Sequence, residues 1–239
     1  MTLLNANVPP GDVILKLRPM GQMPVAVFFD LDGTVADSAT DLSLPINEMR
    51  VERGMPPLPL KDLRPFASMG ARGLIGKGFG IAKEDERFPA LRDEFLARYE
   101  AAICVHTRLF DGMAEVLDAL DAAACRWGIV SNKVEHYVRP ILSQLRLLSR
   151  SVATVGGDTA GAAKPDPAPL FYAARVAGVD PRSCIYVGDD ERDVVAGRAA
   201  GMLTVAAAYG YCGEHESPEQ WGATVTIQSP IELKSLLGL

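Results

Sequence analysis

The chain has 239 residues, 48% of them apolar, and a formal net charge of −6. That length holds one or two compact domains with a sizeable core. The acidic balance, with no long basic run, argues against nucleic acid as a main partner, and no apolar stretch is long enough to span a bilayer.

Residues 1–22 are broken repeatedly by Pro9, Pro10, Gly11, Pro19 and Gly21, and their basic residues stand at the wrong end for a signal peptide. They read as a flexible N-terminal extension. Val25–Phe29 (VAVFF) is an apolar run of the kind buried on both faces of a parallel sheet. It stops in Asp30 and Asp32, one residue apart, with Gly33 and Thr34 directly after. Residues 40–53 and 88–103 carry helical spacing of apolar residues, Leu42, Ile46 and Met49 in the first, Leu91, Phe95, Leu96 and Tyr99 in the second. Between them, residues 68–80 (SMGARGLIGKGFG) read as a mobile glycine-rich loop. They are not a Walker phosphate loop, because Lys77 is followed by Gly78 and not by Ser or Thr.

Strand and helix then alternate. Helices are expected over residues 111–124, 134–148, 169–177, 193–200 and 230–237, and strands over 126–130, 152–155, 184–187, 203–208 and 224–227. Such alternation predicts an α/β fold with a parallel sheet and helices on both faces, into which residues 40–109 insert a helical module. Cys104, Cys125, Cys184 and Cys212 lie far apart with no CxxC pair, a pattern of reduced thiols in a cytoplasmic protein.

Polar groups recur where the apolar runs end. Ser131 and Asn132 follow GIV, Lys164 opens KPDP, and Asp189, Asp190 and Asp193 sit in VGDDERDV. Each has an ordinary explanation: a helix cap for Ser131, a solvated loop lysine for Lys164, a first-turn carboxylate for Asp193. Jointly they place carboxylates, a cation and a hydroxyl at one edge of one sheet, where open α/β sheets bind ligands. Phosphoryl transfer to a carboxylate needs that set. The nucleophile and the phosphate repel each other, so a hard cation such as Mg²⁺ with oxygen ligands must bridge them. A lysine and a hydroxyl take further charge, and a second acid protonates the leaving oxygen.

In order and spacing, DLDGTVADS, the Ser131-Asn132 strand end, Lys164-Pro165 and GDDERD resemble the four motifs of the haloacid dehalogenase-like hydrolases. The resemblance runs from Val25 to Leu239. It implies a Rossmann-like core over residues 23–39 and 110–239 and a helical cap over residues 40–109. It also implies site roles. Asp30 is the nucleophile, and Asp32 the general acid/base whose carbonyl also binds magnesium. Thr34, Ser131 and Asn132 lie around the phosphate, and Lys164 steadies phosphate and nucleophile. Asp189 is a direct ligand of Mg²⁺, Asp193 a second carboxylate acting through water, and Asp190 a lesser contributor. An acid at Asp32 favours phosphate-ester hydrolysis over dehalogenation, because a halide leaves without a proton. A non-catalytic phosphate-ligand binding protein would be expected to lose one of Asp30, Asp32, Lys164 or Asp189.

Within the family, LFDGM, KPDPAPL and VGDDERDVVAGRAAGM resemble the phosphoglycolate phosphatases. GARG, WGIVSNK and PEQWGA resemble the N-acetylmuramic acid 6-phosphate phosphatases. Both groups hydrolyse a phosphomonoester that carries a carboxylate, for which Arg72 is the candidate partner. The expected partner is therefore a small phosphorylated metabolite, bound by a monomer or homodimer.

Overall fold

A computed structural model describes residues 23–213 and 217–239; the extension expected over residues 1–22 lies outside the described residues. Strand β1 (Ala26–Phe29) is wholly buried. Its alternation divides the core: Val27 and Phe29 pack on one face of the sheet, Ala26 and Phe28 on the other. Two short strands, β2 (Ala36–Asp37) and β3 (Arg108–Leu109), pair with each other. The remaining strands are β4 (Arg126–Val130), β5 (Thr154–Val155), β6 (Cys184–Gly188), β7 (Leu203–Ala207) and β8 (Val225–Ile227). They join β1 in a six-stranded sheet of order β5-β4-β1-β6-β7-β8, all neighbours parallel. The chain runs from β1 outward through β4 to β5, then crosses back to β6 on the other side of β1 and continues outward to β8. That reversal opens a crevice at the carboxyl ends of β1, β4 and β6.

The insertion between β2 and β3 holds four α-helices: α1 (Ala39–Glu52), α2 (Leu60–Leu63), α3 (Gly70–Phe79) and α4 (Phe88–Ala101), with a 3₁₀ turn over Arg64–Met69. They close on a hydrophobic core of their own, including Ile46, Met49, Leu74, Ile75 and Phe95. Entry and exit are tied together by Asp41. Its carboxylate accepts the backbone N–H groups of His106 and Thr107 and the Thr107 hydroxyl, at 2.7 to 3.0 Å.

The sheet is covered on one side by α5 (Met113–Ala122), α6 (Glu135–Gln144) and α9 (Pro230–Leu237), through Val116, Leu120, Ile141 and Leu233. On the other side lie α7 (Ala168–Ala177) and α8 (Glu191–Ala199), through Leu170, Ala173 and Ala196. The clearest departure from expectation is the glycine-rich stretch, which is helical where a loop was expected. Gly70 takes a positive φ of 57° and turns the 3₁₀ segment into α3. A Cβ on Gly73 would stand 2.4 Å from Met69 Cβ and 2.9 Å from the Phe66 carbonyl oxygen, and one on Gly78 would stand 2.6 Å from Ile46 Cγ2. These glycines let helices approach closely. Their pattern resembles loop chemistry only because tertiary neighbours are invisible in sequence.

Candidate active site

The first carboxylate is set by the sheet itself. The Asp30 N–H donates to the Val187 carbonyl at 2.9 Å and continues the β1–β6 ladder by one residue. Lys164 arrives from the loop after β5 and is pinned by Asn132. The Asn132 amide donates to the Lys164 carbonyl and its oxygen accepts the Lys164 N–H, both at 2.8 Å. The Lys164 ammonium then lies 2.9 Å from Asp30 Oδ1 and 2.7 Å from Asp193 Oδ1, and donates to the Val130 carbonyl and the Tyr186 hydroxyl. Burial alone would lower the pKa of this lysine. Asp193 and Asp30 beside it more than offset that, and the pKa is raised.

Asp189 directly follows β6 and is fully buried. Gly33 and Gly210 make room for it: a Cβ on Gly33 would fall 2.1 Å from Asp189 Oδ2, and one on Gly210 2.3 Å from Asp189 Cβ. Its oxygens accept from the Thr34 hydroxyl at 3.0 Å, the Tyr211 N–H at 2.8 Å and the Ser68 hydroxyl of the insertion at 3.2 Å. Burial pushes its pKa well above the usual carboxylate range, and Asp30 and Asp193 push it further. Burial also raises Asp193, to about 7, against the pull of Lys164. Asp190 and Asp193 form the capping box of α8. The Asp190 carboxylate is engaged by the Arg192 guanidinium through two 2.7 Å contacts.

Asp30, Asp189 and Asp193 each offer one oxygen within 4.8 Å of the others. Asp30 Oδ1 is buried without a partner in hydrogen-bonding geometry, since Lys164 approaches it off-line. Three clustered carboxylates, two of them on one ammonium, with an orphaned oxygen among them, fit a hard cation that prefers oxygen donors.

Asp32 sits beside this cluster. Its Oδ2 is 2.6 Å from the Lys133 ammonium and its Oδ1 accepts the Ser38 hydroxyl at 2.5 Å. The Ser131 hydroxyl oxygen accepts the Lys133 N–H at 3.2 Å. A cavity of about 440 Å³ opens over these groups, floored by Asp30, Asp32, Ser131 and Lys164 and roofed by Ser68, Phe95, Leu96 and Tyr99 of the insertion.

Of the residues singled out in the sequence, Asp30, Asp32, Ser131, Asn132, Lys164, Asp190 and Asp193 line the cavity, and Asp189 lies directly beneath, its hydroxyl and N–H donors drawn from three segments. Thr34 differs from its expected place near the phosphate: it is fully buried, outside the cavity wall, with its hydroxyl on Asp189. Arg72 reaches the cavity rim on α3, exposed and without an ion pair among the described residues. Lys133, Ser38, Tyr186, Tyr99 and Tyr211 are missed by sequence reasoning. The one available signal is the position of Lys133, two residues beyond Ser131 at the same strand end.

Residues 27–207 match the family model described as haloacid dehalogenase-like hydrolase. The chain belongs to this family. It is 45% identical over 212 residues to a phosphoglycolate phosphatase of Xanthomonas campestris pv. campestris, covering 89% of this chain and 96% of that protein. It is 41% identical, with 89% and 95% covered, to an N-acetylmuramic acid 6-phosphate phosphatase of Pseudomonas putida. Among solved structures, a predicted phosphoglycolate phosphatase of Haemophilus somnus superposes with a TM-score of 0.77 at 27% identity, over 87% of this chain and 96% of that one. A family hydrolase of Deinococcus radiodurans with bound phosphate and sodium superposes with a TM-score of 0.69 at 25% identity, over 91% and 96%.

Proposed function

We propose that this hydrolase is a Mg²⁺-dependent phosphatase that cleaves phosphomonoesters through a phosphorylated Asp30, with 2-phosphoglycolate as its substrate. The observation that carries the reading is the buried Asp30 oxygen held between the Lys164 ammonium and the Asp189–Asp193 pair. An Asp30 oxygen bonds to phosphorus, the ester P–O bond breaks, and Asp32 gives its proton to the leaving oxygen. Water then attacks the phosphorylated Asp30 and passes a proton to Asp32. The Asp30–phosphorus bond breaks and inorganic phosphate is released. Lys164 offsets the charge of Asp30 throughout, and the Ser131 hydroxyl holds a phosphate oxygen. The residues that would hold Mg²⁺ are Asp30, Asp189 and Asp193, with the Asp32 carbonyl. When bound, the ion supplies the positive charge that lets a carboxylate and a phosphate dianion approach. The insertion acts as the cap that keeps water from the reacting atoms and meets the leaving group.

The substrate reading is supported by the Xanthomonas relative. One observation favours a second reading, the N-acetylmuramic acid 6-phosphate of the Pseudomonas relative: a cavity of about 440 Å³ is roomier than a two-carbon acid needs. Steady-state kcat/KM for both esters, with Mg²⁺ and with EDTA, decides. Preference for 2-phosphoglycolate, lost in EDTA, is the expected result. Preference for the sugar ester transfers the assignment to the second reading, and no turnover of either overturns both.

A further inference from the structure

We propose that Lys133, backed by Tyr99 of the insertion, is the specificity-determining cation that binds a carboxylate of the substrate, and that its place beside Asp32 selects esters whose carboxylate is borne on the carbon next to the ester oxygen. This rests on the phosphatase reading above, in particular on Asp32 as the donor to the leaving oxygen.

Two neighbouring polar groups keep hydrogen-bonding capacity to spare. The Lys133 side chain is nine-tenths buried, and of its three N–H bonds one is taken by Asp32. Its ammonium lies 5.0 Å from the centre of the Tyr99 ring. The Tyr99 hydroxyl is buried with no partner in hydrogen-bonding geometry. Both residues line the cavity. A buried donor left unmatched costs about 1–3 kcal/mol, so the Tyr99 hydroxyl and the remaining Lys133 N–H bonds make this corner a favourable place for acceptor oxygens.

The other cations at the cavity are differently engaged. Lys164 is occupied by Asp30, Asp193, the Val130 carbonyl and Tyr186. Arg192 is occupied by Asp190 and the Ser68 carbonyl. Arg72 stands exposed at the rim, far less desolvated than Lys133. An anion gains most from a cation out of water, which favours the lysine over the arginine that sequence suggests.

Position then sets the substrate class. The leaving oxygen must lie at Asp32, and the Lys133 ammonium is 2.6 Å from Asp32. A carboxylate that meets this ammonium while its own ester oxygen meets Asp32 can be separated from that oxygen by only a short bridge. A single carbon, as in a phosphorylated 2-hydroxy acid, satisfies both contacts. A sugar acid whose carboxylate lies across the ring from its phosphate does not.

The test compares 2-phosphoglycolate with 2-hydroxyethyl phosphate, in which an alcohol replaces the carboxylate, for wild type, Lys133→Met, Lys133→Arg and Tyr99→Phe, in the presence of Mg²⁺. Wild type should prefer 2-phosphoglycolate. Lys133→Met should lose at least about 30-fold more kcat/KM on 2-phosphoglycolate than on 2-hydroxyethyl phosphate, mainly through KM, and Lys133→Arg should recover part of that ratio. Tyr99→Phe keeps the ring and the buried charge, and should shrink the same ratio about threefold or more. Equal losses on both esters overturn the inference, since Lys133 would then act only on Asp32. A preference that survives both variants also overturns it, placing the carboxylate elsewhere while leaving the proposed phosphatase intact. Equal turnover of both esters by wild type instead refutes the carboxylate-bearing substrate, and the inference with it.

Discussion

The carboxyl edge of the sheet and the helical insertion above it hold their side chains by opposite means. At the edge, Asp30, Asp32, Lys164, Asp189 and Asp193 are all buried. Each is oriented by a charge or a donor brought from a distant segment, such as Tyr211 on Asp189 and Lys133 on Asp32. In the insertion, Asp41 and Arg50 apart, the ion pairs face outward. Arg98 meets Glu48, Glu52 and Glu94 on its surface, while Ile46, Met49, Leu74 and Phe95 fill the interior. The edge therefore spends stability to hold reactive groups, and the insertion draws stability from packing while shaping the roof of the cavity. Removing a charge should cost turnover at the edge and little in the insertion. Altering packing should do the reverse.

The sharpest way to break this contrast is Asp30→Asn. Turnover should fall by at least about 10⁴-fold, with no acid-stable phosphoprotein in quenched reactions and a melting temperature no lower than wild type. Retained turnover would place the nucleophile elsewhere.

Next in size is the response of the edge to pH without metal. Burial raises the Asp193 pKa from 3.8 to about 7. Between these values the folded protein binds more protons than the unfolded chain, so stability should fall as pH rises through that window. Thermal unfolding in EDTA at a series of pH values measures the slope. Mg²⁺ should flatten it, because the cation replaces the proton. A flat profile in EDTA would mean the carboxylates are not mutually strained.

Gly73→Ala probes the other region. A methyl there meets Met69 Cβ and the Phe66 carbonyl oxygen, so the substitution should cost about 1–3 kcal/mol in denaturant unfolding. A mobile loop would show no cost. The smallest effect is expected from Glu52→Gln, which removes one exposed partner of Arg98 and should change stability by less than about 1 kcal/mol.

Much of the edge is legible in the sequence because apolar runs end in charge. A strand such as VAVFF followed by Asp30 has one sensible place for its carboxylate, and GDDERD repeats the logic one strand away. Less of the insertion is legible. Its glycines read as loop because glycine favours turns and close helix contacts alike, and only Ile46 and Met69 tell the two apart. The pairing of β2 with β3 is equally hidden, being two residues on each side.

The residue that does what a motif promises is a separate matter from its presence. Thr34 lies in the right turn, but its hydroxyl faces Asp189 and not the cavity. Arg72 stands exposed at the cavity rim, and Lys133, unremarked as a lone lysine, is carried to Asp32 from 101 positions away.

Order along the chain was thus enough for the α/β class, the inserted module and the identity of the charged groups at the crevice, since periodicity and strand-end chemistry are local properties. Which oxygen meets which ammonium, which donors are left without partners, and which cation meets Asp32 came only with folding, because direction and burial depend on segments far apart in the chain that packing brings into contact.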